Sequence, residues 1–210
     1  KKNFYYKFLY GNIDLILVIT DKLQEEAYKN LPIDKEKVKK LTYGISKPQS
    51  NMKLSKSNFM KHNNIDPEIF SIGIFSRVEE QKGQHLVLDA INMSNNLMQL
   101  CIIGHVMSKQ YKEDLLINAK IYHLTNYLKF INFVESPMSY MPFFDIVIMP
   151  TYEETFGLVV AEAMIMGVPV IGSNAGGVPE IISHGTNGLL FETKNANDLS
   201  KKIDMLYENK

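Results

Sequence analysis

At 210 residues, with 45% hydrophobic and 22% charged side chains, the chain has the composition of a folded protein and room for one large domain or one and a half smaller ones. Its formal charge sums to zero but is split: residues 1–64 hold 13 Lys against 6 acids, and residues 65–210 hold 10 Lys plus Arg against 17 acids. A lone cysteine, Cys101, excludes a disulfide framework and fits a reducing cytoplasm, and the uncharged apolar runs are too short to span a membrane.

The opening Lys1-Lys2, followed by Leu15–Ile19, imitates a secretory leader, but the apolar core is short, Asp14 sits at its edge, and no small-residue cleavage site follows. The aromatic residues Phe4, Tyr5, Tyr6, Phe8 and Tyr10 lie among lysines. They fit either a membrane or nucleic-acid surface or a helix packed on a further domain, and the helix is the reading adopted. The lysine excess likewise fits either contact with an anionic membrane or an ordinary solvated face.

Strand-like apolar runs follow at 15–19, 38–42, 70–75, 100–103, 127–130, 146–149, 168–171 and 189–191. Helical patterns occupy 22–30, 84–92, 109–124, 158–166, 179–183 and 196–207. Near-continuous apolar strands separated by helices predict a Rossmann-like α/β fold, a parallel sheet with helices on both faces. The segment 44–64 (Lys, Ser, Asn and one Pro) lacks apolar periodicity and reads as a linker. The expected division is therefore 1–45 as the tail of another unit, 46–66 as linker, and 67–210 as the ligand-binding domain.

Open parallel sheets bind ligands beyond the carboxyl ends of their strands, where helix N-termini expose N–H groups. Two loops are equipped for this. After 70–75 comes Ser76-Arg77-Val78-Glu79-Glu80-Gln81-Lys82-Gly83, in which Arg77 and Lys82 either converge on an anion or pair with Glu79 and Glu80. After 146–149 comes Pro150 to Gly157, then a helix whose residues Leu158 to Ile165 are all apolar except Glu162. Such a helix should be buried, and a carboxylate inside it needs a partner or a ligand. Glu154 and Glu162 would lie about 12 Å apart if helix filled the gap, near the reach of a nucleotide-sugar's diphosphate. The alternatives are a helix-dipole carboxylate for Glu154 and a structural ion pair for Glu162.

These residues name a family. Ile72 to Gly83 resembles the Arg-Lys-Gly segment of retaining glycosyltransferases of family 4, which have the two-domain GT-B fold. Glu154 to Met164 resembles that family's Glu, seven residues, Glu motif, and Gly167-Val168-Pro169-Val170, Gly176-Gly177-Val178-Pro179-Glu180 and Asn187-Gly188-Leu189-Leu190 follow in order. The resemblance implies a donor-binding C-terminal half that transfers sugar from a UDP- or GDP-sugar, with retention, to a glycan or lipid-linked acceptor. It implies that Arg77 and Lys82 bind the diphosphate and Glu154 holds the transferred sugar with Thr155, Phe156, Gly157 and Leu158. Glu162 would hold the ribose, and backbone at Val134 would read the base. No metal or other cofactor and no nucleic acid is implied. Retention is expected to proceed by front-face displacement with the leaving phosphate as base. The acceptor site would belong to an N-terminal domain lying mostly outside this chain, which would act in the cytoplasm, at the inner face of the membrane if peripheral contact is made. Two positions depart from the pattern: Tyr43-Gly44-Ile45-Ser46 stands for Asn-Gly-Val/Ile-Asp, and Asn132 for Gly.

Two rival functions share the donor residues: a nucleotide-sugar epimerase of the same fold, and a non-catalytic nucleotide-binding module. Among the histidines, His62, His85, His123 and His184 are expected to be structural or solvent-facing. His105, directly after Gly104 at a strand's carboxyl end, is the one a ligand could reach, although a loop histidine with a local hydrogen bond is the reading adopted for it.

Overall fold

The computed structural model describes residues 4–46 and 55–209. The main body is a six-stranded, all-parallel sheet in the order β5-β4-β3-β6-β7-β8. Its strands are β3 (Phe70–Phe75), β4 (Met98–Ile103), β5 (Leu128–Ile131), β6 (Ile146–Met149), β7 (Val170–Ser173) and β8 (Leu189–Phe191). A smaller parallel pair, β1 (Ile16–Val18) and β2 (Val38–Lys40), belongs to the N-terminal segment. The expected strands are all present, shifted by a few residues at their ends.

Every residue of β3, β4, β6 and β7 is buried, which is why these strands read as continuous apolar runs rather than alternating ones. Alternate side chains feed two cores. Ile72, Ile74, Leu100, Ile102 and Ile148 face α4 (Gln84–Met93), α5 (Lys109–Ile121) and α9 (Ala196–Glu208). Phe75, Cys101, Ile103, Val147 and Met149 face the opposite layer, made of α3 (Lys56–His62), α6 (Pro137–Tyr140), α7 (Leu158–Ile165) and α8 (Val178–Ile181). Burial pushes the Cys101 thiol up to about 12, so it is an inert core side chain.

Two expectations are corrected. The presumed linker contains α3, capped by Ser55 Oγ on the Asn58 N–H at 3.2 Å. Its Met60 is buried, and its Phe59 packs on Tyr140, Phe143 and Phe144. Residues 47–54 of that stretch lie outside the described residues. Helix α7 is not buried all round: only Val160 and Ala163 are, while Leu158 is 41% and Ile165 39% exposed. It rests one face on β6, β7 and α8, and its other face stands away from these partners.

The N-terminal segment comprises α1 (Phe4–Gly11), the β1–β2 pair and α2 (Asp21–Asn30). The aromatic run does form a helix, with Tyr5, Tyr6 and Phe8 exposed. Thr20, fully buried, caps α2 by accepting from the Leu23 N–H at 3.2 Å. The α2 N-terminus docks on the main body through Glu180, which accepts from the N–H groups of Asp21 (2.9 Å) and Lys22 (3.2 Å).

Candidate functional site

Strand order reverses between β3 and β6, and a crevice opens outside the carboxyl ends of strands at such a switch point. The loop after β3 carries Arg77 and Lys82, and the loop after β6 carries Glu154 and Thr155. The two loops are tied together at the main chain. Gln81 O accepts from Tyr152 N–H at 3.0 Å and from Thr151 Oγ1 at 3.2 Å.

This tie brings Lys82 and Glu154 together, Nζ to Oε2 at 3.3 Å, with both side chains about three-quarters covered. The other carboxylate oxygen of Glu154 accepts the Thr155 N–H at 3.1 Å. They line a polar cavity of about 450 Å³ with Thr155 and Gly176, and Thr20 and Glu26 of the N-terminal segment close its other side. Gly176 is required here. Its φ is 59°, and a Cβ would fall 1.6 Å from Glu154 O. The Gly177 N–H then donates to that same carbonyl at 3.1 Å.

Arg77 stands apart from this cavity. Its guanidinium pairs with Glu79 at 2.9 Å, the alternative its spacing left open, and its side chain is 57% exposed. It lines a second, largely apolar cavity of about 340 Å³ with Phe75, His105, Phe133, Val134 and Val159. His105 stacks on Phe133 with ring centroids 4.8 Å apart and planes 12° from parallel. Arg77 and Val134 therefore share one cavity, Lys82, Glu154 and Thr155 the other. The fully buried Gln84 fixes the basic loop by donating to Arg77 O at 2.7 Å and Ser76 Oγ at 3.0 Å.

Gly157, with φ 102°, precedes α7 and leaves no side-chain cap over the helix N-terminus. The N–H groups of the first turn are the orphan donors of any helix start. Phe156 beside it meets Tyr43 edge-on at 5.6 Å, so one of the two departing positions touches the loop. Glu162 is half-buried, and among the described residues its carboxylate has no hydrogen-bond or ion-pair partner. Burial alone pushes its carboxyl above the usual range. A structural ion pair is thus not its role in this structure.

Sequence reasoning missed Gln84, Tyr152, Phe133 and the N-terminal contributors Thr20 and Glu26. None has a local pattern that sets it apart; each matters through a neighbour brought in by the fold. Among the described residues, no three His, Cys, Asp or Glu side chains cluster in metal-ligating geometry, and no helix is long and apolar enough to cross a membrane.

A family profile described as "Glycosyl transferases group 1" matches residues 55–210. An uncharacterized glycosyltransferase of Methanocaldococcus jannaschii is 29% identical over 194 residues, covering 90% of this chain and 50% of that protein. The O-antigen biosynthesis glycosyltransferase WclY of Escherichia coli is 28% identical over 194 residues, covering 92% and 52%. The chain thus spans about half the length of these curated relatives. Among solved structures, Anabaena HepE in complex with UDP-glucose superposes with a TM-score of 0.81 at 26% identity, covering 93% of this chain and 54% of that one. The fold is that of the GT-B glycosyltransferases, and the expected parallel α/β sheet is borne out.

Proposed function

The chain belongs to the group 1 glycosyl transferases, and from this premise we propose that it is the donor-binding C-terminal half of a retaining, family 4 hexosyltransferase. Its donor is a nucleotide-diphosphate sugar carrying UDP or GDP. Its acceptor is a glycan or lipid-linked sugar held by an N-terminal domain, of which residues 1–45 form the tail. Residues 55–210, from α3 onward, then constitute the donor domain. The enzyme works in the cytoplasm, in peripheral contact with the membrane where the acceptor is lipid-linked.

The observation that carries this reading is the meeting of Lys82 and Glu154 at the switch point. A cation and a carboxylate 3.3 Å apart, facing a polar cavity, match the two ends of a sugar–phosphate linkage. The phosphate draws Lys82, and the sugar hydroxyls donate to Glu154 in charge-assisted hydrogen bonds. Each ligand group replaces half of the resting ion pair, so neither charge is left bare. Arg77, its side chain more than half exposed, swings from Glu79 to the same diphosphate. Val134 and the His105–Phe133 stack receive the base, and Glu162, lacking a described partner, takes the ribose hydroxyls. Phe156 and the N–H groups at Gly157 and Leu158 complete the cradle.

In the reaction, the acceptor oxygen attacks C1 on the face from which the diphosphate departs. The C1–O bond to the β-phosphate breaks, and the acceptor's proton passes to the leaving phosphate oxygen. Arg77 and Lys82 stabilise the charge that grows there, without a metal ion.

Thermal-shift screening against UDP- and GDP-sugars tests the reading. A hundredfold excess over Kd is expected to raise Tm by roughly 5–10 °C for one base class. No shift with any member of the panel would contradict it.

A further inference from the structure

Behind the β6–α7 loop runs a hydrogen-bonded line of three side chains that the donor chemistry does not use. His85, in the first turn of α4, has Nδ1 2.8 Å from Tyr111 Oη on α5 and Nε2 2.6 Å from Tyr152 Oη. The His85 main-chain N–H also donates to Tyr111 Oη at 3.1 Å. Both tyrosine rings stand edge-on to the imidazole, with centroids 5.8 and 5.9 Å away. Burial holds the imidazole below its usual pKa against the opposing pull of Asp89 and Glu80. A neutral ring has one donor and one acceptor, enough to serve both hydroxyls.

Tyr152 is held in two further ways. Lys194 Nζ lies 4.7 Å from the centre of its ring, and its main-chain N–H donates to Gln81 O. Gln81 directly precedes Lys82, and Tyr152 stands two residues before Glu154. The tyrosine is therefore the point at which α4, the basic loop and the acidic loop are joined. A phenylalanine would fill the same space, so packing alone does not account for a hydroxyl aimed at a histidine nitrogen.

Resting on the donor-site reading above, we propose that His85 is a positioning residue: through Tyr152 Oη it fixes the 151–155 loop so that Glu154 meets Lys82 and the transferred sugar. The signature of such a role is selective. Glu154 touches the sugar, so a misplaced loop weakens the intact nucleotide-sugar more than the bare nucleotide. A purely structural role lowers Tm and leaves the ratio of the two affinities unchanged.

The test titrates UDP-glucose, UDP, GDP-mannose and GDP into the unsubstituted chain and into Glu154→Gln, Tyr152→Phe and His85→Phe. Glu154→Gln is expected to lower sugar-nucleotide affinity about tenfold with nucleotide affinity unchanged, and Tyr152→Phe to reproduce that selective loss at about fivefold. His85→Phe, which leaves the Tyr152 hydroxyl intact, is expected to match Tyr152→Phe and replaces it should that variant not fold. If Glu154→Gln shifts the ratio and neither partner variant does, or if both partner variants fail to fold, the positioning role is overturned and the donor reading stands. If Glu154→Gln leaves the ratio unchanged, or no ligand binds the unsubstituted chain, the donor reading fails and takes this inference with it.

Discussion

Glu162 is the residue whose environment says most about use. A half-buried carboxylate without a described partner is a cost to the fold, since burial disfavours its charged form. Its folded pKa lies above the unfolded value, so the cost is full above the folded pKa and disappears below the unfolded one. Glu162→Gln is therefore expected to raise Tm at pH 7, the gain shrinking as pH falls through the raised pKa toward the ordinary Glu value of about 4.3. The same change should weaken nucleotide binding about tenfold in calorimetry if the ribose uses this carboxylate. A variant that is less stable and binds unchanged would mean that Glu162 serves the protein, not a ligand. Opposite effects of one substitution on stability and affinity are the mark of a group retained for binding.

At the scale of elements, the site is a seam between two loops, and its tolerance is set by main-chain contact. Gly176→Ala places a methyl against Glu154 O at a positive φ, so the 174–177 turn and the 151–155 loop must separate. We expect a loss of more than about 2 kcal/mol in denaturant unfolding, together with weakened sugar-nucleotide binding. Wild-type stability would show that the contact yields freely. The strands and the two site loops were legible in sequence because burial on both faces of a parallel sheet writes continuous apolar runs, and loops after such runs are where ligands bind. Helix α3 was not, since only Phe59 and Met60 of its residues find core partners, and that socket is built from residues 140–144 far along the chain. Helix α7 is less buried than its apolar sequence predicts for a related reason. An all-apolar helix is buried only if something covers each face, and composition does not say what does. The spacing of Arg77 in its loop allows either an anion or a neighbouring carboxylate as partner, and in the structure it pairs with Glu79.

Across the molecule, the N-terminal segment meets the main body through the Tyr43–Phe156 ring contact and, at the start of α2, through Glu180. Glu180 accepts from two N–H groups at the start of α2 and from Lys40 at 3.0 Å, and Lys40 also meets Asp21 at 2.7 Å. Burial pushes the Glu180 carboxyl up, but the Asp21 N–H, Lys40 and the Lys22 N–H together hold it below its usual range. A depressed acid stabilises above its unfolded pKa and ceases to do so as pH falls through the folded value. Docking of α2 should thus persist through neutral pH and loosen only below about pH 4. Glu180→Ala is expected to cost about 0.5–2 kcal/mol and to speed amide hydrogen exchange in the first turn of α2 at pH 7. Unchanged exchange there would show that Thr20 and the buried contacts suffice. Because Thr20 and Glu26 line the Lys82–Glu154 cavity, this docking also shapes the cavity proposed to hold the donor.

The most direct measurement is a calorimetric titration of a UDP- or GDP-sugar into the unsubstituted chain and into the Arg77→Gln, Lys82→Gln double variant at one fixed salt concentration. If both cations converge on the diphosphate from their separate cavities, the double variant should bind about 100-fold more weakly or more, since each charge-assisted contact contributes about 1.5–3 kcal/mol. Equal affinity in the two proteins would mean that Arg77 serves only Glu79 and Lys82 only Glu154, and that no diphosphate is held between them.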